Sequence, residues 1–519
     1  MSRARLSGVT IPLFSLRTRT DWGVGQITDL PTFAALARTA GQRLVQVLPT
    51  QELGGAETSP YGALSAFAID PIYIDVARVP DLDAATIDAT LGREGKAELE
   101  RLRAAPRVLY ADVRALKRRV LAVAFERFRT RELAHKTGCA DALFAFVEKE
   151  SGWLRDHALY MALRASHDGH GWSTWPLPER DRAPEVVALA KAPRDDGGLG
   201  TRILEQMYLQ HVAHQQWFAA REEMRAMGVL LMGDMPFIVG GESADVWAHR
   251  DQFRTDVSLG APPDDFAPEG QSWGLPAYDW AAMDRDDLAW LRARARHGAA
   301  LFDKFRIDHL VGFFRQWVQK GSEKGTFDPS EEDAQRLRGA KVLAAMMEAA
   351  GRETVIAEDL GVIPPFVRET MQSLGLPGYK VLPWERDGNF MPYDPKTYPE
   401  LSVATWSTHD TAPITGWWTE LEHWERERLA ALAKIPLDIA EVEREHALLD
   451  LLFGARSDLS LVLAQELLGD KTRINTPGTV NDVNWTWRLA RPIEELRDDQ
   501  VVQTRLARIE ASARAHGRI

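Results

Sequence analysis

Five short apolar runs punctuate the chain: RLVQVLP (43–49), GVLLMGDMPFIV (228–239), FDKFRIDHL (302–310), ETVIAEDLG (353–361) and LSVATWSTHD (401–410). Runs of this length, bounded by turn-forming or charged residues, read as buried strands. Helical spacing falls between them. Residues 208–227 place Val212, Trp217, Phe218, Met224 and Met227 on an apolar face, and 335–350 is rich in Ala, Leu, Met and Arg. Residues 422–435 and 438–454 also read as helices. Strands that alternate with helices imply an α/β fold with a largely parallel sheet.

Two segments break the alternation. Within 85–190, ADVRALKRRVLAVAFERF repeats Val113, Leu116, Val120, Val123 and Phe128 at helical spacing, and 141–164 continues in that style. This stretch is expected to be a helical insertion. Residues 240–283, with APPDDFAPEGQSWGLP, are expected to be a loop-rich insertion.

Four of the runs carry an acid near their C-terminal end: Asp234, Asp308, Glu358 and Asp410. A carboxylate within an apolar strand is costly unless it is paired or sits at an open end. Four such acids point to one shared site, and the C-terminal strand ends of a (β/α)8 barrel provide it. A doubly wound sheet would carry a glycine-rich phosphate loop after its first strand, and neither GxGxxG nor a Walker motif is present. The expected architecture is therefore one (β/α)8 TIM barrel over 1–519, with both insertions mounted on it.

Composition narrows the partners. The 519-residue chain has a formal net charge of -12, which gives no electrostatic draw toward nucleic acid or an anionic membrane. Its single cysteine, Cys139, rules out an internal disulfide and a Cys-based zinc site. That fits a reducing compartment, and a cytoplasmic location is expected. The apolar stretch from Val9 to Leu16 is too short and too polar for a signal peptide, and no uncharged run approaches the length of a membrane span. Tryptophan is abundant, 17 against 9 tyrosines, and its flat apolar face suits sugar rings as well as a large core.

Arg306 and Asp308 are two apart and share a strand face, so the guanidinium is expected to keep the carboxylate ionised, as a nucleophile requires. The same pair also reads as a structural ion pair. Glu358 follows Val355-Ile356-Ala357, and an apolar setting favours the neutral acid that a proton donor needs; Glu358 also reads as a helix cap. Asp359 is expected to face the opposite way. His409 and Asp410 are expected to close a strand, where they could hold hydroxyls or begin the next helix. One ionised and one protonated carboxyl are the minimum for cleaving a glycosidic bond. The same acids with His409 would also suit a carboxylate metal site.

The segments SPYGALSAFAIDPIYID (59–75), GDMPFIV (233–239), FRIDHLVGF (305–313), IAEDLGVIPP (356–365), STHD (407–410) and NTPGTVNDVNWTWR (475–488) resemble those of the 4-α-glucanotransferases, also called amylomaltases or disproportionating enzymes, of the α-amylase clan. The resemblance implies Asp308 as nucleophile, Glu358 as general acid/base and Asp410 as the acid that favours the distorted sugar. It implies Asp234, Arg306 and His409 at the first donor subsite and Ser59 and Tyr61 as glucan contacts. Phe266, Gln271 and Trp273 would lie on a loop over the cleft, and Asn475 and Asn484 in the last sugar-binding block. It further implies α-1,4-glucans and maltooligosaccharides as substrates, glucose or maltose as acceptors, and neither metal nor organic cofactor. An α-1,4-glucan hydrolase of the same clan is the alternative. A binding protein without catalysis is disfavoured because all three acids and Arg306 are present.

Overall fold

The structure is a computed structural model that describes residues 5–55, 57–263, 270–321, 323–388, 391–479 and 481–519. Its strands are β1 (Leu6–Thr10), β2 (Leu44–Gln46), β3 (Leu230–Met235), β4 (Phe253–Ala261), β5 (Gln271–Tyr278), β6 (Lys304–Ile307), β7 (Gln316–Gln319), β8 (Thr326–Asp328), β9 (Val355–Ala357), β10 (Gly378–Val381), β11 (Ser402–Thr405) and β12 (Leu459–Leu463). Eight of them form one parallel sheet in the order β10-β11-β12-β1-β2-β3-β6-β9. Helices separate most of the consecutive barrel strands, among them Asp29–Thr39, Leu199–Ala226, Ala289–Leu301 and Glu332–Ala350.

The sheet is nearly closed into a barrel, and β9 and β10 form the seam. There the Ala357 N–H donates to the Pro377 carbonyl at 2.9 Å, and the Tyr379 N–H donates to Asp359 Oδ1 at 2.7 Å. Asp359 faces away from its neighbour Glu358 and is buried in this seam. Close strand approach elsewhere depends on side-chain size: a Cβ on Gly8 would lie 2.9 Å from the Leu44 carbonyl oxygen, too near for any other residue.

Three barrel strands, β1, β10 and β12, lie outside the runs read as strands. β1 is masked by the arginine-rich start of the chain. β10, GYKV, interleaves a lysine and sits between Pro377 and Pro383. β12, LSLVL, follows the helix Glu441–Phe453 so closely that its apolar residues merge with the helical pattern. Barrel strands buried on both faces show no alternation to betray them.

Residues 84–191 contain the helices Ala84–Ala104, Tyr110–Phe128, Gly138–Lys149, Leu154–Ser166 and Pro184–Lys191. Val113, Leu116, Val120 and Phe128 are buried, while Val123 is half-buried. The segment 240–283 is not the loop-rich stretch expected. It holds β4 and β5, which pair antiparallel and extend through β7 to β8, and it holds the short helices Ala244–Ala248 and Trp280–Arg285. Gly260, Gly274 and Pro276 lie inside these strands and read as turns, and one face of the pair is exposed, so the apolar signal is weak. Among the described residues no helix is long and apolar enough to cross a membrane.

Candidate active site

The acids meet at the C-terminal end of the barrel. Asp234 is the penultimate residue of β3; Asp308 and Glu358 are the first residues past β6 and β9. His409 and Asp410 do not close a strand. β11 ends at Thr405, and both residues sit in a turn tied by the Thr411 N–H to the Thr408 carbonyl. The turn lets both side chains reach the barrel axis, which strand alternation would forbid.

Arg306 is the hub. Its Nη1 donates to Asp234 Oδ2 at 2.6 Å, and its Nη2 donates to Asp308 Oδ1 at 2.5 Å and lies 3.5 Å from Glu358 Oε2. Two oxygens at those distances from one nitrogen are no more than 6.0 Å apart. Glu358 Oε2 also accepts the His309 N–H at 2.6 Å. His309 has a φ of 44°, and this left-handed backbone aims the N–H at the carboxylate. The surroundings of Glu358 are therefore more polar than its sequence neighbours imply.

Tyr61 reaches in from the SPY turn. Its hydroxyl donates to Asp234 Oδ2 at 2.7 Å and lies 3.2 Å from His409 Nε2. Its ring stacks on His409 at 5.5 Å, and Trp485 packs against both. His409 Nε2 is 3.3 Å from Asp410 Oδ2, and the Asn475 amide donates to Asp410 Oδ1 at 2.6 Å. Arg473 holds the Asp410 backbone carbonyl at 2.8 Å.

The charges bind one another unequally. Burial lifts the Asp410 carboxyl, but His409 and the Asn475 amide more than offset this and hold it below the usual carboxylate range. Burial lowers His409, yet Asp410 carries it above its ordinary value. Burial raises Asp308; Arg306 pulls it down, and the charges of Glu358 and Asp234 push it up again, so it ends well above the ordinary range. The pull of Arg306 on Asp308 is thus opposed by two further acids at the same guanidinium. Three carboxylates around one guanidinium bind a proton more readily than an isolated carboxylate does.

A cavity of about 440 Å³ opens beside this cluster, lined by Thr10, Gln46, Leu360, Tyr379 and Trp384 among others. Asp234 Oδ1 is buried and has no hydrogen-bond partner. Among the described residues no group of acids and histidines has the arrangement of a metal site.

The remaining expected residues divide. Trp273 sets its ring edge-on to His309 at 5.2 Å, and its indole N–H donates to the exposed Gln271 at 3.1 Å. Phe266 lies outside the described residues. Ser59 contributes to its own turn, accepting the Tyr61 N–H at 3.4 Å. The Asn484 side chain is spent on its neighbours, accepting from the Thr476 N–H and donating to the Thr479 carbonyl, whereas Asn475 faces Asp410. Sequence reasoning missed Tyr379, whose ring lies beneath the Arg306 guanidinium, the half-exposed Trp384 and the backbone of His309. Trp485 lies within the segment 475–488 that carries the family resemblance, whereas Tyr379 and Trp384 carry no spacing signal.

Comparison with known proteins agrees with this geometry. The family model described as 4-alpha-glucanotransferase matches residues 11–494. The 4-alpha-glucanotransferase of Thermus thermophilus is 33% identical over 484 residues, covering 90% of this chain and 92% of that protein. That of Chlamydia pneumoniae is 30% identical over 510 residues, covering 94% and 92%. The amylomaltase of Streptococcus agalactiae, solved in complex with acarbose, superposes with a TM-score of 0.84 at 26% identity over the full length of both chains. The amylomaltase of Corynebacterium glutamicum shares the fold with a TM-score of 0.81 at 24% identity, covering 98% of this chain and 75% of that one. With the family match over residues 11–494, the eight-stranded barrel, and Asp234, Asp308 and Glu358 gathered around Arg306, the chain belongs to the 4-alpha-glucanotransferase family.

Proposed function

We propose that this protein transfers segments of α-1,4-glucans to the 4-hydroxyl of an acceptor glucose or glucan through a covalent glucosyl-enzyme. The carrying observation is the short Asp308–Glu358 separation. Retaining glycosidases place their two carboxyl groups about 5–5.5 Å apart, whereas inverting enzymes need about 6.5–9.5 Å to seat a water. Asp308 Oδ1 and Glu358 Oε2 stand no more than 6.0 Å apart, and this near oxygen pair favours the retaining class.

In the first step Asp308 attacks the anomeric carbon, the bond to the leaving oxygen breaks, and Glu358 gives that oxygen its proton. In the second, the Glu358 carboxylate takes the proton of the acceptor 4-hydroxyl, whose oxygen attacks the anomeric carbon and expels Asp308. Arg306 helps to ionise Asp308 once a sugar separates the carboxylates. Asp410, held as an anion, accepts ring hydroxyls and opposes the positive charge that develops at the anomeric centre. Asp234 holds both the Arg306 guanidinium and the Tyr61 hydroxyl in place beside the donor sugar.

Hydrolysis shares the first step, so the choice lies in what reaches the intermediate. Trp273 on β5 packs over His309, whose N–H holds Glu358, and we assign this cover the exclusion of water. The test is to trap the intermediate. A Glu358→Gln variant given an α-glycosyl fluoride, which needs no acid, is expected to accumulate a glycosyl adduct on the Asp308 peptide in mass spectrometry. An adduct elsewhere, or none with fluoride still released, contradicts the mechanism.

A further inference from the structure

We propose that Glu466 is a positioning residue for His409 and Asp410, clamping both ends of the turn that carries them. The proposal rests on the glucanotransferase reading for its kinetic consequence but on geometry for the clamp.

The turn has little of its own to fix it. β11 ends at Thr405, the helix Ile414–Glu420 begins after Pro413, and neither strand nor helix lies between. Thr408 and Thr411 close the turn internally through the Thr408 N–H to Thr411 Oγ1 bond of 2.9 Å. That bond shapes the turn but does not locate it in the barrel. Arg473 and the Asn475 N–H hold the Asp410 and His409 carbonyls from one side, and the two ends of the turn are located by Glu466, which lies just past β12 in the helix Ala464–Leu468 and is buried. Its Oε1 accepts the Ser407 hydroxyl at 2.6 Å and the Ile414 N–H at 3.2 Å. One oxygen thus holds the residues immediately before and after the segment 408–413. Its Oε2 accepts the Leu463 N–H at 2.9 Å, which ties the same carboxylate to the end of β12.

Three donors among the described residues face the group and favour the carboxylate against burial and the charge of Glu445. Arg505 fixes the helix itself, donating to the Glu466 carbonyl at 2.7 Å and pairing with Glu445 at 2.9 Å. Glu445 in turn accepts the Thr415 hydroxyl at 2.5 Å, so the residue after Ile414 is anchored too. A displacement of the turn would carry His409 off Tyr61 and Asp410 off Asn475, and a misplacement of about 1 Å costs roughly 100-fold in rate.

The two oxygens have separable duties, and this makes the role testable. Glu466→Gln keeps one carbonyl oxygen. Facing the turn, that oxygen retains both clamp bonds, and only the bond to Leu463 is lost. Ser407→Ala does the reverse: it removes a clamp bond and leaves the bond to Leu463. The experiment measures kcat and KM on maltotriose together with the thermal midpoint for Ser407→Ala, Glu466→Gln and Glu466→Ala.

Ser407→Ala is expected to lower kcat by about tenfold or more with KM changed less than about threefold, while Glu466→Gln lowers the midpoint and keeps kcat within about threefold. Glu466→Ala loses both. If it does not fold, the other two decide. A kcat that simply follows the midpoint across the variants overturns the proposal, as does wild-type kcat in Ser407→Ala. If the wild-type protein itself does not act on maltotriose, the functional reading fails, and the clamp is decided by backbone hydrogen exchange. Faster exchange of 408–413 in Ser407→Ala at unchanged global protection supports it; unchanged exchange overturns it.

Discussion

Asp308 and Glu358 are bridged by one nitrogen, Nη2 of Arg306, at 2.5 and 3.5 Å. The bridge limits how far apart the two carboxylates can stand, and with it the stereochemistry. A new α-linkage must form from an α-linked donor. Proton NMR of the products formed from an α-glucan is expected to show new α-glycosidic anomeric signals and no β-glycosidic ones. A β-glycosidic signal would mean single displacement and would remove Asp308 from the role of nucleophile.

Asp308→Asn keeps the shape of the side chain but not the nucleophilic charge. Turnover is expected to fall to near background, while calorimetric binding of a maltooligosaccharide survives, because Asp234, Arg306, His409 and Asp410 still face the sugar. Substantial transfer by this variant would contradict the assignment.

Trp273 covers His309, whose N–H holds Glu358. Trp273→Ala opens that cover to water. The ratio of hydrolysis to transfer, read as new reducing ends against chain-extended products, is expected to rise several-fold. An unchanged ratio would relieve Trp273 of this duty.

Stability should depend on Asp29, in the helix that follows β1. Burial pushes its carboxyl up to about 7, against the hydrogen bonds from the Gln26 N–H and Thr18. A folded value above the unfolded one means that the neutral form is favoured on folding. The associated stability is fully present below the unfolded value near 3.8 and is lost as pH rises through about 7, on the order of 4 kcal/mol. An uncharged amide in place of the carboxyl could accept from Gln26 and donate to Thr18. Asp29→Asn is therefore expected to match wild type in thermal midpoint only below the unfolded value near 3.8, and to gain on it steadily as pH rises to about 7. A difference independent of pH would place the effect elsewhere.

The sequence makes the chemistry more legible than the barrel. Asp234, Asp308 and Glu358 stand out because a charge at the end of an apolar run is expensive, and Arg306 stands out by its two-residue spacing from Asp308. β1, β10 and β12 are unreadable because short strands buried on both faces lack a period, and β10 is interrupted by Lys380. β4 and β5 are hidden by glycines and by a proline that β5 tolerates as the edge strand. Trp384 and Tyr379 reach the cleft through tertiary placement alone. The proton affinity of Asp308 escapes the sequence for a related reason: a single arginine neighbour is visible there, but the convergence of Asp234 and Glu358 on that same arginine is not.

Incubation with maltotriose alone tests the central claim most directly. Glucose together with a ladder of maltooligosaccharides longer than the donor, at nearly constant total reducing ends, is the expected result. Reducing ends that rise steadily without any chain longer than maltotriose would contradict transfer and leave a hydrolase.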